Sequence, residues 1–92
     1  MLTIKFHKSF KQDYKRMKKQ GADISKLEAV LNILACGDTL PAEYLDHPLR
    51  GNYTGYRECH ISPDWLLIYK ISQNELLLIL HRTGSHSDLF QK

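Results

Sequence analysis

The sequence contains little cysteine and no long hydrophobic run. Its two cysteines, Cys36 in a helical pattern and Cys59 in a strand pattern, are too few for a disulfide-bonded scaffold and lack the CxxC spacing of metal sites. We expect both to be small buried hydrophobic side chains. No apolar stretch approaches the roughly 18 residues of a membrane span, and the N-terminus alternates polar and apolar residues where a signal peptide would have an apolar core. The sequence therefore predicts a cytoplasmic protein without a membrane partner.

Internal repeats, low-complexity tracts and interdomain linkers are also missing from the 92 residues. The composition, 42% hydrophobic and 25% charged, is that of an ordinary globular protein. A chain of this length can form one hydrophobic core. We therefore expect a single domain over residues 1–92, with room for one site.

The net charge of +3 is small, but the charges are unevenly distributed. Residues 1–26 hold eight Lys and Arg side chains against two Asp, whereas the remainder has an excess of acid. This asymmetry favours a polyanionic partner near the first helix, because basic side chains that neutralise phosphates release counterions. A solvated helix face would explain the same pattern equally well. The candidate RNA-binding lysines are Lys11, Lys15, Lys18 and Lys19.

The N-terminal third predicts a strand followed by two helices. Alternating apolar residues over 2–6 indicate a short strand with one buried face; these residues are Leu2, Ile4 and Phe6. Ser9 and Gln12 have the spacing of a capping box, so a helix should begin there and end at Gly21. A second helical pattern begins at Asp23 or Ser25 and runs to Gly37. Two helices joined by a short turn predict a helical hairpin.

The remaining residues predict a loop and a three-stranded meander. Residues 38–53 have no sustained periodicity and are interpreted as a long loop, which in a small domain is usually functional. Strand patterns follow at 56–61, 65–71 and 76–82, separated by turn residues that favour antiparallel pairing. The tail is too short for more than a helical turn. The order β-α-α-β-β-β predicts an α+β fold: a small, mainly antiparallel sheet with the helical hairpin on one face and the opposite face open.

The meander is expected to bring distant residues to one edge of the sheet. The first of its strands ends near His60, the next begins after Asp64, and the last returns to the same edge before the tail. A loop that folds back from the opposite edge could add His47, which the topology permits without requiring. The residues predicted to meet there are His60, Asp64, His81, Arg82, His86 and Phe90.

A rim of this composition suits RNA cleavage by internal transesterification. One group removes the proton of the ribose 2′-OH, a second protonates the leaving 5′-oxygen, and a cation stabilises the charged phosphorane. Histidine serves both proton transfers because its ordinary pKa of about 6.5 is close to the operating pH. Arg82 would bind the phosphate through its guanidinium, and Phe90 would stack on a base.

Each of these residues also has an ordinary structural explanation. A histidine at a strand end is commonly a surface residue, Asp64 after Pro63 is a good turn residue, and Phe90 could anchor the tail. Arg82 could screen Asp88 or Glu58. A zinc or iron site is a further alternative, but only His60 and Asp64 are close in sequence and no HxH or HExxH pair exists. We therefore expect no metal cofactor.

Two segments, DHPLRGNYTGYRECHISPDWLLIYKI and HRTGSHSDLF, identify the family that the chain resembles. With the basic first helix, they resemble the YafQ branch of the RelE/ParE superfamily, the small toxins of bacterial toxin-antitoxin modules. The blocks DHPL, PDW-LIYK and RTGxHxxLF are specific in combination, and the resemblance covers nearly the whole chain. It implies a RelE-like fold and a ribosome-dependent mRNA endoribonuclease that acts in the decoding site. It also implies a cognate antitoxin, in a hetero-oligomeric complex that binds operator DNA.

Carried over by motif, the resemblance implies a site made of His47, His60, Asp64, His86 and Phe90. We assign His86 as general acid because the tail could bring its proton to the leaving group, whereas the base stays open among His47, His60 and Asp64. Other branches of the superfamily have a site richer in Lys and Arg, and some members act on DNA gyrase. Two alternatives are therefore a noncatalytic toxin that binds a protein such as gyrase and an RNA-binding module without activity. We assign no role to His7, Cys59 or His81.

Overall fold

The three strands predicted in the C-terminal half form the centre of a five-stranded sheet. The computed structural model describes residues 1–90. Its strands and helices are β1 (Thr3–Phe6), α1 (Lys8–Lys19), α2 (Ile24–Ala35), β2 (His47–Pro48), β3 (Arg57–Ser62), β4 (Trp65–Ser72), β5 (Leu77–Gly84) and α3 (His86–Phe90). The strand order is β1-β5-β4-β3-β2, with β1 parallel to β5 and every other pair antiparallel. The predicted α+β class and meander are confirmed.

The segment predicted as one long loop is more ordered than expected. It contains short 3-10 helices at Ala42–Tyr44 and Gly51–Tyr53 and, between them, the edge strand β2. The prediction missed β2 because a two-residue strand has no periodicity to detect. Its existence depends on pairing with β3, which lies further along the chain.

The helix starts show which capping prediction was correct. The α1 helix begins at Lys8 and is capped by His7, whose Nδ1 accepts from the Ser9 backbone N–H at 3.3 Å, so the prediction of a cap at Ser9 is wrong. The Ser9 hydroxyl instead donates to the His81 carbonyl of β5 at 2.8 Å and ties the helix to the sheet. Asp23, one of the two alternatives predicted for α2, caps that helix through the Ser25 N–H.

The helical hairpin packs on one face of the sheet. The buried side chains on that side include Phe10 and Leu27 from the helices and Cys59 from β3. Cys36 was also expected to be buried, but it is exposed because it lies at the C-terminal end of α2, beyond the buried turns. Phe6 is 49% exposed, against expectation, because β1 is an edge strand.

The opposite face of the sheet was expected to be open, and this prediction is wrong. Leu66 and Ile68 of β4 point to that face and are fully buried. They are covered by Leu89 of α3, with Tyr53 and Phe90 packed around them. The cause is visible in β4 itself, where Trp65 to Tyr69 are all buried, because a strand covered on both faces is continuously hydrophobic.

No helix within residues 1–90 is both long enough and apolar enough to cross a membrane.

Candidate active site

The edge strand β2 brings His47 beside a carboxylate that the sequence analysis did not assign to the site. His47 and Glu58 are register partners across β2 and β3, and His47 Nε2 lies 3.2 Å from Glu58 Oε1. Since alternate residues of a strand share a face, His60 lies on the same side as Glu58, with its Nε2 3.8 Å from the same oxygen. Glu58 is only 6% exposed. The signal that could have found it is the E-x-H spacing on a strand that ends at the predicted rim.

A second histidine–carboxylate pair forms at the turn between β3 and β4. Asp64 Oδ1 lies 3.1 Å from His86 Nδ1 and accepts a hydrogen bond from the His86 backbone N–H at 3.3 Å. The hydrogen bond from the His86 side chain holds the pKa of Asp64 below its ordinary value. An ionised Asp64 fixes the Nδ1 side of the imidazole, so Nε2 is the nitrogen that can exchange a proton with a substrate.

The first turn of α3 holds His86 in place. Ser85 and Asp88 form a capping box, in which the Ser85 hydroxyl accepts from the Asp88 N–H and Asp88 Oδ2 accepts from the Ser85 N–H, each at 3.1 Å. Leu89 anchors the other side of the helix by packing against Leu66 and Ile68 of β4. The tail, predicted to form no more than a helical turn, is therefore a short capped helix.

The two histidine–carboxylate pairs lie side by side, with the imidazole rings of His60 and His86 facing each other. The centroids of His60 and His86 are 5.9 Å apart, with an angle of 60° between the planes. The His60 side chain is 19% exposed, whereas that of His86 is 55% exposed. Phe90, one turn after His86, lies 6.5 Å from the His86 ring and 6.0 Å from Tyr53. An open row of acid–base groups thus runs along this edge of the sheet, with an aromatic ring beside it.

Arg82 lies further from this row than the sequence predicted. The β5 strand runs on to Gly84, which pairs with Leu66, whereas Arg82 pairs with Ile68. The Arg82 guanidinium binds Asp13 of α1, with Nε 2.6 Å from Oδ2 and Nη2 3.1 Å from Oδ1. The main partner of Arg82 is therefore Asp13 and not Glu58, whereas Asp88, the other residue suggested, makes a smaller favourable Coulomb interaction with the guanidinium. Phosphate binding by Arg82 stays a prediction, and it would require the guanidinium to leave or share the Asp13 carboxylate.

His81 is also separate from the acid–base row. Its ring contacts His7 at a centroid distance of 4.7 Å, Tyr56 at 4.9 Å and Tyr53 at 5.8 Å. Burial lowers the pKa of His81. These contacts connect the cap of α1 to the aromatic residues on the face of the sheet that α3 covers.

The four candidate lysines of α1 are all exposed. Three of them border a groove between α1 and α2 whose apolar lining includes Phe6, Phe10 and Leu31. These three are Lys11, Lys15 and Lys18. Arg16 of the same helix is only partly exposed, because its Nη1 binds Asp13 Oδ1 at 2.8 Å.

Among residues 1–90, no three His, Cys, Asp or Glu side chains are grouped as metal ligands.

Comparison with known proteins identifies the family. Residues 2–91 match the family model of the YafQ bacterial toxin of type II toxin-antitoxin systems. The mRNA interferase toxin YafQ of Escherichia coli K12 is 41% identical over 88 residues, which cover 95% of this chain and 94% of that protein. The metal-bound toxin from Helicobacter pylori superposes with a TM-score of 0.92 at 47% identity, covering 98% of this chain and all of that one. In the Escherichia coli DinJ–YafQ complex, the matching chain has a TM-score of 0.89 at 40% identity, covering 98% of this chain and 99% of that one. From its sequence and its fold, therefore, the chain belongs to the YafQ family of type II toxin-antitoxin toxins.

Proposed function

We propose that this toxin is an mRNA interferase, a ribosome-dependent endoribonuclease that inhibits translation by cutting mRNA through attack of the ribose 2′-OH. The observation that supports this function best is the close approach of the His60 and His86 rings, 5.9 Å apart. A base and an acid at this separation can stand on either side of one phosphate. The activity in the name of the Escherichia coli relative supports the same function.

In the proposed reaction, His60 removes the proton of the 2′-OH as its oxygen attacks the phosphorus. The bond from phosphorus to the 5′-oxygen breaks, His86 gives its proton to that oxygen, and the products are a 2′,3′-cyclic phosphate and a 5′-hydroxyl. Asp64 stabilises the protonated form of His86 that donates. Phe90 stacks on a base beside the cleaved bond.

His60 is a better candidate for the base than either of the two alternatives. Both ring nitrogens of His47 have partners, Nδ1 with the Leu45 carbonyl at 2.9 Å and Nε2 with Glu58. Asp64 is occupied by His86. His60 has one ring nitrogen 3.8 Å from a carboxylate, which leaves the other free to accept a proton from substrate.

The nucleophile can be tested directly with a modified substrate. Ribosome-bound mRNA carrying a 2′-O-methyl group at the cleaved position should resist cutting, because the attacking oxygen has no proton to lose. Unmodified mRNA should be cut to a 2′,3′-cyclic phosphate, and cleavage should survive EDTA once the magnesium that ribosomes need is restored. Normal cleavage of the methylated substrate would exclude internal transesterification. Absence of any cleavage product would favour a noncatalytic toxin or a simple RNA-binding module.

We also propose that the lysines of α1 attach the toxin to ribosomal RNA. Reversing the charge of Lys11 and Lys15 should weaken ribosome binding and reduce the slope of log K against log salt by about 1 for each phosphate that is no longer neutralised. Equilibrium binding measured across a salt titration tests this. A matched double reversal of Lys5 and Lys70, which are exposed on strands, changes the net charge equally and should keep the wild-type slope. Equal slopes in both variants would mean that this face is only a solvated surface.

The proposed partner that silences the toxin is its cognate antitoxin. The excess of basic side chains in residues 1–26 favours an acidic segment that is disordered alone and folds on binding. The existence of a DinJ–YafQ complex supports such a hetero-oligomer. We further propose that the toxin acts in the cytoplasm, where mRNA and ribosomes are, and that the complex with antitoxin binds operator DNA.

A further inference from the structure

The segment that carries His47 is anchored by the side chain of the residue before it. Asp46 Oδ1 accepts a hydrogen bond of 2.6 Å from the Tyr69 hydroxyl. Asp46 Oδ2 accepts from Arg57 Nε at 3.1 Å, and Nη2 of the same guanidinium lies 3.0 Å from it. Arg57 and Tyr69 are register partners in β3 and β4. One carboxylate therefore connects the edge of the sheet to the next two strands.

Tyr69 is a firmly held partner for this carboxylate. Only 1% of the residue is exposed, and its ring packs in the core beneath the helical hairpin. Burial raises the pKa of Tyr69, and so does the hydrogen bond to Asp46, so its hydroxyl stays protonated and donates. A hydrogen bond from a hydroxyl to a carboxylate is short and strong. The position of Asp46 is therefore set by the centre of the sheet.

The edge strand β2 has little else to hold it. It consists of two residues, and one of them, Pro48, has no N–H to donate. Leu45, just before this strand, has a left-handed backbone with φ of 51°, which a leucine adopts only where its neighbours hold it. His47 Nδ1 donates to the Leu45 carbonyl at 2.9 Å. The orientation of the His47 ring thus depends on this turn, and Asp46 is the residue between the two.

We propose that Asp46 is the positioning residue of His47, an inference that rests on the proposed nuclease function. Through Tyr69 and Arg57, Asp46 holds the turn at Leu45 against the sheet, and the carbonyl of that turn orients the imidazole. The His47 side chain is 48% exposed, so the ring is accessible to bound RNA. Asp46 itself exchanges no proton with the substrate. Its effect on cleavage therefore requires His47.

Two substitutions weaken this anchor without changing a histidine. Asp46→Ala removes both contacts, and we expect single-turnover cleavage of ribosome-bound mRNA to slow by about 10- to 100-fold, because a displacement of about 1 Å in a site can cost that much. Tyr69→Phe removes one hydroxyl from a ring that stays in the core, so its effect should have the same direction and be smaller. The control Tyr14→Phe makes the same chemical change on α1 and should cleave at the wild-type rate.

A double-mutant cycle separates positioning from a general effect on the fold. In a His47→Ala background, Asp46→Ala should slow cleavage by less than about 2-fold more, because the group that it positions is gone. The full reduction in that background would overturn the inference. Wild-type rates in both Asp46→Ala and Tyr69→Phe would also overturn it, as would a His47→Ala variant that cleaves normally.

Hydrogen exchange in the free toxin tests the anchor without RNA. The Leu49 N–H, directly after β2, donates to the Tyr56 carbonyl at 2.9 Å and reports opening of this edge. In Asp46→Ala it should exchange at least about 10-fold faster, as expected of a local opening. The N–H of Leu78, buried in β5 between β1 and β4, should exchange as in wild type.

The exchange result also separates this inference from the nuclease proposal. Unchanged exchange at Leu49, or an equal increase at Leu78, would overturn the inference even if RNA is cleaved. If the toxin cleaves no RNA but Leu49 alone opens, Asp46 anchors the edge and the nuclease proposal fails. Should Asp46→Ala not fold, Tyr69→Phe decides in both measurements.

Discussion

Substituting His86 with alanine should lower the single-turnover rate of mRNA cleavage by at least about 100-fold, because a positioned general acid typically contributes 10² to 10⁴. His86 is the most exposed of the paired histidines, and Asp64 fixes its Nδ1, so its Nε2 can reach a leaving oxygen. The reduction should lie in the chemical step, with ribosome binding unchanged. Quenched-flow measurement with excess toxin over ribosome-bound mRNA separates the two.

The expected result for Asp64→Ala is a reduction of similar size, at least about 100-fold, since the acid loses the group that orients and charges it. The control is Ser87→Ala, an exposed position in the same helix. All three variants should remain folded, because α3 is anchored by Leu89 and by the Ser85–Asp88 capping box, neither of which is changed. A wild-type rate in His86→Ala or Asp64→Ala would remove that residue from the mechanism.

The second large effect is on stability. Asp13→Ala should lower the free energy of unfolding by about 3–5 kcal/mol, the usual result of removing one member of a buried ion pair. Asp13 is 2% exposed and accepts hydrogen bonds from Arg82, Arg16 and the Thr83 N–H. Its removal would leave the Arg82 guanidinium and the Thr83 N–H without this acceptor, whereas Arg16 would keep the Thr83 carbonyl and Asp88. Urea unfolding, measured in a His86→Ala background so that the protein can be produced safely, gives the difference.

A surface control makes this result interpretable. Asp38→Ala, in an exposed position after α2, should change the unfolding free energy by less than about 0.5 kcal/mol. If Asp13→Ala proves equally harmless, the pair is not structural, and Arg82 is available for the phosphate role that the sequence predicted.

The same carboxylate should make stability depend on acid pH. Burial raises the pKa of Asp13, but the hydrogen bonds from Arg82, Arg16 and Thr83 outweigh it, so the pKa lies below the ordinary 3.8. A lowered folded-state pKa means that the stabilisation is fully present above 3.8 and is lost as the pH falls through the folded-state value. The difference in unfolding free energy between wild type and Asp13→Ala should therefore become smaller at strongly acidic pH.

Local sequence patterns were enough to predict most of the elements of the fold. The meander was correct because turn residues such as Pro63 and Asp64 separate strands that pair with their immediate neighbours. The α2 cap was among the two predicted because Asp23 bonds a backbone N–H only two residues away. The cap of α1 was predicted wrongly. The Ser9 hydroxyl donates to the His81 carbonyl, which lies 72 residues further along the chain. The predicted start of α1 was therefore wrong because the Ser9 hydroxyl binds a distant carbonyl and not a nearby backbone N–H.

The candidate site, like the fold, could be predicted only in part. By itself, the sequence determined which acid–base chemistry was available, since the histidines and Asp64 are defined by residue type and motif. It also placed His60 and Asp64 at one edge of the sheet, because a single tight turn joins their strands. Only the tertiary structure decided that β2 pairs with β3, which brings His47 to Glu58, and that Asp13 of the first helix takes the Arg82 guanidinium. The physical reason is that a periodicity or a turn is a property of neighbouring residues. A strand register, a buried ion pair or a hydrogen bond between two distant side chains exists only after distant segments have met.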